Sequence, residues 1–220
     1  MLFVRYDIVE ASMNPVLFIF QIVVLVFSVI IHEISHGFVA EKFGDSTARR
    51  MGRLTLNPLK HIDPFGSIIL PLLMALVPGG VVFGWAKPVP VNTTSLKNPE
   101  RDMAYIAAAG PLSNLTLALV FAILYRVLSF FFLPTPYTMA LGDFFSLISI
   151  TNISLAIFNL VPIPPLDGSN VLFALLPRSA HAVRAFLTQY GFFLLLAFIF
   201  FGIEFISPII FFVYKLFFGL

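Results

Sequence analysis

The chain has no cysteine. Disulfides and thiolate metal sites are therefore excluded, and any bound metal must be held by His, Asp or Glu. Charge is scarce as well: Asp, Glu, Lys and Arg make up only 11% of the residues, and the net charge of +2 is too small to point to nucleic acid. Long polar segments are also missing. The longest, Glu41 to Asp63 and Gly84 to Asp102, are too short for a soluble domain of useful size, so a single membrane-embedded domain over 1–220 is the simplest reading.

Apolar sequence is abundant. Hydrophobic residues make up 59% of the 220 positions and phenylalanine alone accounts for 27 of them, giving a mean hydropathy of +0.98. Runs such as Phe192 to Phe201 and Ile209 to Phe218 have no polar face to present to water. These features predict a polytopic membrane protein with the lipid bilayer as its solvent, sited in the cell membrane. Arg5 ahead of an apolar core imitates a signal peptide, but Asp7 and Glu10 precede that core and no small-residue cleavage site follows. The N-terminus is expected to be retained.

Four segments are long enough to cross a hydrocarbon core of ~30 Å: residues 15–42, 104–131, 139–160 and 187–218. The expected fold class is an all-α polytopic membrane protein with four full transmembrane helices, a short membrane-embedded hairpin and small β segments near the cytoplasmic face. The hairpin is assigned to Phe65 to Val77, which is too short to span, carries Pro71 and runs into Pro78-Gly79-Gly80. Whether residues 65–80 span or re-enter stays open. The β segments are Thr47 to Leu56 and Val81 to Val91, which mix Val, Thr and Phe with Gly and Pro. A short helix is expected over Ser169 to Leu176, and Trp85 reads as an interfacial anchor. Ten of the thirteen Lys and Arg residues fall in loops on one side of this arrangement, which the positive-inside rule makes cytoplasmic, with the N-terminus outside.

Within the first span, His32, Glu33 and His36 form an HExxH motif. Ionisable side chains at membrane depth cost roughly 2.5–3.5 kcal/mol each on insertion scales, so this group needs a compensating partner. Residues four apart lie on one helix face. The two imidazoles can therefore ligate one zinc ion, and Glu33 is placed to act as general base on a zinc-activated water. An unmetallated helix whose polar groups bond its neighbours leaves that cost unmet. Catalytic zinc takes three protein ligands and keeps one position open. Asp167 is the candidate third ligand, because Pro162, Pro164 and Pro165 must break the helix before it, and broken backbone at membrane depth lines protein or a wet cavity. The competing reading makes Asp167 the N-cap of the next helix.

His32-Glu33-x-x-His36, the run from Asn159 to Asp167-Gly168 and Gly110-Pro111-Leu112-Ser113-Asn114 together resemble the site-2 protease family of intramembrane zinc metalloproteases. The resemblance covers about residues 15–178 and leaves a C-terminal helix over about 187–218. It implies one Zn2+ per chain held by His32, His36 and Asp167, Glu33 as general base, Asn159 stabilising the oxyanion, and a membrane protein as substrate. Leu166 separates the last proline from Asp167, and the chain has no room for the PDZ or CBS domains that many members carry.

Asn114 reads as an interhelical hydrogen-bonding residue. His61 and Asp63 read as a satisfied loop histidine and a turn-starting Asp-Pro. His181, Glu204 and Asp143 have no partner at ligand spacing and receive no role. The alternatives are a metal transporter, which would spread its ligands along a path across the bilayer, and a catalytically silent scaffold, which would have less reason to keep Glu33, His36 and Asp167 together. A strand-like segment beside the site would hold an unwound substrate by edge pairing.

Overall fold

In the computed structural model, residues 15–69, 73, 85–177 and 179–219 are described. Helix α1 runs Pro15–Lys42, α2 Pro99–Phe131, α3 Pro136–Asn159, α4 Asp167–Leu175, α5 His181–Ala197 and α6 Ile203–Phe218. A wide π-type turn, Phe198–Gly202, joins α5 to α6. Four helical stretches are long and apolar enough to cross a membrane: Val16–Lys42, Pro99–Phe131, Pro136–Asn159 and His181–Gly202. Phe130, Leu133 and Phe201 are 82%, 83% and 81% exposed, a surface suited to lipid rather than water.

The helices meet where their side chains are small. Ala107, Ala118 and Ala122 of α2 and Ala156 of α3 are buried, which lets the backbones approach closely when lipid offers no hydrophobic drive to association. Helices α2 and α3 form a hairpin, with α1 packed on α2 and α6 on α3. A reciprocal Thr135–Thr138 capping box starts α3, satisfying N–H groups that the helix itself cannot.

The proline cluster ends α3 at Asn159, and the chain re-enters helix at Asp167. The Pro164–Pro165 peptide is cis. Leu166, Leu195 and Ile199 form a buried cluster joined by Phe158, Val161 and Ile163, so α5 and the π turn clamp this loop. Arg184 of α5 closes the other end of α4. It donates to the Phe173 and Leu176 carbonyls at 2.7 and 3.0 Å and pairs with Glu100 of α2 at 2.8 Å.

Several boundaries differ from expectation. Helices α2 and α3 start at Pro99 and Pro136, because Pro is tolerated at the first helical position and extends the helix past the apolar core. The last helical stretch begins at His181 rather than 187 and is divided by the π turn. Among the described residues there is no strand. Thr47–Arg50 is a helical turn instead: Asp45 accepts the Thr47 N–H, an arrangement that starts a turn, and Gly52 ends it at φ +61°. Residues 85–91 are extended without strand pairing, and 81–84 lie outside the described residues. Of the hairpin assigned to 65–77, Pro64–Ile69 forms a π-type turn, Leu73 is helical, and the remainder lies outside the described residues. Trp85 covers Gly66, where an added Cβ would lie 2.2 Å from the indole nitrogen.

Candidate metal centre

Helix periodicity sets out the site. Ser28, His32 and His36 recur every four residues on α1, and Ile106, Gly110 and Asn114 recur every four on α2, so each set lies on one helix face. The faces meet in antiparallel order. His32 Nδ1 lies 2.6 Å from Asn114 Oδ1, and His36 Nδ1 lies 2.7 Å from the Ile106 carbonyl. Gly110 lies between. A Cβ there would stand 2.5 Å from His32 Nε2 and 2.5 Å from His36 Nε2, so only glycine leaves the pocket open.

Asp167 enters from the first turn of α4. Its Oδ2 lies 3.0 Å from His32 Nε2 and 3.3 Å from His36 Nε2, and the three donor atoms lie within 4.8 Å of one another. Leu166, not Asp167, is the N-cap of α4, and no side-chain cap bond is present there. The capping alternative for Asp167 is therefore corrected: its carboxylate is turned to the imidazoles. Gly168 makes this approach possible, since a Cβ there would lie 2.2 Å from the Leu160 carbonyl oxygen at the end of α3.

The donor set fits a cation. A carbonyl oxygen only accepts, so His36 Nδ1 must carry the proton, and the Asn114 oxygen requires the same of His32. In the neutral rings both Nε2 atoms then present lone pairs to Asp167 Oδ2, a buried oxygen without a hydrogen-bond partner among the described residues. Three lone pairs at this range repel unless a positive charge lies among them. Protonating both rings would instead bury two cations whose centroids are 4.6 Å apart, a costly choice. A zinc ion with N, N and O ligands, each ring anchored through its other nitrogen, satisfies all three.

Glu33 points to the cover packed on the C-terminal half of α1. Its Oε2 accepts the Val89 N–H at 2.8 Å, and Oε1 has no hydrogen-bond partner among the described residues. The cover is tightly built. Gly37 faces Leu54, Ala48 and Val89, and buried Arg53 donates to the Lys87 and Pro88 carbonyls at 2.7 and 3.2 Å. The Lys87 N–H reaches the His61 carbonyl at 2.8 Å. The N–H groups of Lys87 and Val89 and the carbonyls of Lys87 and Pro88 are thus engaged within the cover, and Pro88 and Pro90 have no N–H.

Asn159 ends α3 in the turn that packs on Gly168. Its Nδ2 donates to the Leu155 carbonyl at 2.9 Å within its own helix. His61 is buried, with Nε2 on the Thr55 carbonyl at 2.9 Å but Nδ1 without a partner among the described residues. Asp63 caps the backbone of Phe65 and Gly66. Neither joins the centre. Sequence reasoning missed Ser28 and Asn152, both buried beside Asn114; the available signal was polar side chains on otherwise apolar spans.

Fold and donor set together define a class: a helical membrane protein carrying a metallopeptidase-type centre of two imidazoles and a carboxylate. The chain matches the model of peptidase family M50 over residues 20–140 and 134–199. It is 38% identical over 192 residues to a Bacillus subtilis protein named "Putative zinc metalloprotease YwhC", covering 86% of this chain and 81% of that one. It is 33% identical over 176 residues to "Putative zinc metalloprotease Rip2" of Mycolicibacterium smegmatis, covering 80% of this chain and 64% of the relative. No solved structure matches it. The chain belongs to peptidase family M50, the site-2 proteases, and zinc is the metal this family implies.

Proposed function

We propose that this chain is an intramembrane zinc endopeptidase that hydrolyses a peptide bond in or near the transmembrane segment of a membrane protein, reached from the cytoplasmic side. The observation that carries the reading is the convergence of Asp167 Oδ2 of α4 with His32 Nε2 and His36 Nε2 of α1, the helix that also bears Glu33, within 4.8 Å. Residues 1–220 act as one membrane-embedded unit.

When bound, zinc supplies Lewis acidity that makes water nucleophilic near neutral pH and polarises a carbonyl. His32, His36 and Asp167 hold it. Glu33 takes the proton of the attacking water and later returns it to the leaving amine. The Val89 N–H on Oε2 orients this carboxylate and leaves Oε1 for the proton. Asn159 spends one amide N–H on Leu155 and has a second to offer the developing oxyanion, a type of contact worth about 2.7–4 kcal/mol where measured. With the Lys87 and Val89 N–H groups engaged and none present at Pro88 and Pro90, residues 87–90 offer an extended substrate no backbone donor, so edge pairing there is one-sided at best.

Clustering of the ligands in a single centre favours this reading over a metal transporter, and retention of Glu33 with all three ligands favours it over a silent scaffold. The test is zinc content and cleavage of a co-expressed single-span membrane substrate. Glu33→Gln is expected to keep stoichiometric zinc and lose cleavage, whereas His36→Ala and Asp167→Ala are expected to lose both. Undiminished cleavage by Glu33→Gln would remove Glu33 as the base, and zinc flux across vesicles that survives this change would favour transport.

A further inference from the structure

One cluster of buried polar side chains lies outside the ligand set and joins three spanning helices. Asn114 of α2 and Asn152 of α3 are fully buried, and Ser28 of α1 is 4% exposed. Asn114 Nδ2 donates to Asn152 Oδ1 at 2.8 Å and to the Ser28 carbonyl at 3.3 Å. Asn152 Nδ2 donates to the Ile148 carbonyl and to Ser28 Oγ, both at 2.9 Å.

Two backbone carbonyls fix the direction of these bonds, that of Ile148 at Asn152 and, at the longer 3.3 Å, that of Ser28 at Asn114. Backbone carbonyls accept only, so the Ile148 carbonyl fixes which end of the Asn152 amide is nitrogen. Asn152 then turns its oxygen to Asn114 Nδ2. That leaves Asn114 Oδ1 facing His32, where it demands a proton on Nδ1 and leaves Nε2 free as a lone pair on the metal side.

We propose that Asn152, which does not touch the metal, is a positioning residue that sets the tautomer and aim of His32 through Asn114. The proposal rests on the zinc reading above. Ser149 provides the comparison: it is equally buried on α3 and bonds the Ala118 carbonyl of α2 at 2.9 Å, yet it has no link to a ligand.

The test measures zinc affinity of the full chain in detergent by chelator competition, together with thermal stability. Asn152→Leu is expected to weaken zinc about 10- to 100-fold, the range found for groups that orient metal ligands. Ser149→Ala is expected to lower the melting temperature and leave zinc affinity unchanged. The double variant Asn114→Leu/Asn152→Leu is expected to bind zinc no more weakly than Asn114→Leu alone, because Asn152 acts through Asn114. Wild-type affinity in Asn152→Leu, an equal loss in Ser149→Ala, or losses that multiply in the double variant would overturn the proposal. Failure of the wild-type chain to bind zinc would instead sink the underlying reading. Should the leucine variants not fold, the zinc-loaded wild-type chain with 15N-labelled histidine decides: slow solvent exchange of the His32 Nδ1 proton supports the relay, and exchange as fast as the exposed His181 ring overturns it.

Discussion

Gly110→Ala tests the centre without replacing any side chain assigned a chemical role. The added methyl would stand 2.5 Å from His32 Cε1, His32 Nε2 and His36 Nε2, about 0.9 Å inside the 3.4 Å at which ordinary contact begins. Neither ring can turn away freely, because each is bonded through Nδ1, one to Asn114 and one to the Ile106 carbonyl. Breaking either bond strands a buried polar group at a cost of about 1–3 kcal/mol. The other escape parts α1 from α2, which disturbs the packing of Ala107 and Ile106 and costs a similar ~1–3 kcal/mol.

Either route moves Nε2 by several times the ~0.2 Å that a metal site tolerates. We therefore expect Gly110→Ala to keep its helical content by circular dichroism and to lose at least about tenfold in zinc affinity, or ~1.4 kcal/mol. Gly142→Ala is the control. Its Cβ would meet the Tyr125 ring at 3.2 Å, so a small loss of stability with unchanged zinc is expected. Wild-type zinc affinity in Gly110→Ala would show that the imidazoles do not converge on a shared ion beside this glycine, and the geometry argued above would fall.

Gly168→Ala meets backbone rather than rings, with its Cβ 2.2 Å from the Leu160 oxygen. It should displace Asp167, lower the melting temperature and abolish stoichiometric zinc, as read by metal analysis of the purified chain. Asp45, outside the spans, contributes a pH dependence. Burial alone would raise its pKa, but hydrogen bonds from Thr47 and Asn92 and the nearby Arg50 charge hold it below the ordinary carboxylate value. A depressed folded pKa gives stability that is present above the unfolded value of ~3.9 and is lost as pH falls through the folded value. Melting temperature followed from pH 7 to pH 3 should fall along that limb in the wild-type chain and fall less in Asp45→Asn.

How much of this was legible depended on whether the information was local. The HExxH pair reads directly because helix geometry alone sets residues 32 and 36 on one face, and Asp167 reads because three prolines force a break where an all-apolar chain has no other reason for one. The β reading of Thr47 to Leu56 failed for a local reason too, since the Asp45 carboxylate bonding the Thr47 N–H outweighs the strand preference of the threonines. Ser28, Gly110 and Asn152 were not legible as a set. Their meaning lies in the register between α1, α2 and α3, and that register is fixed by small residues at helix crossings, whose pattern in a nearly all-apolar sequence differs little from lipid-facing surface. Apolar periodicity, the usual guide to which face is buried, is blunted where lipid and protein interior are equally apolar, whereas polar residues four apart keep their information. In a membrane chain the buried polar side chains report helix register, and here their hydrogen bonds lead from three spans to one imidazole.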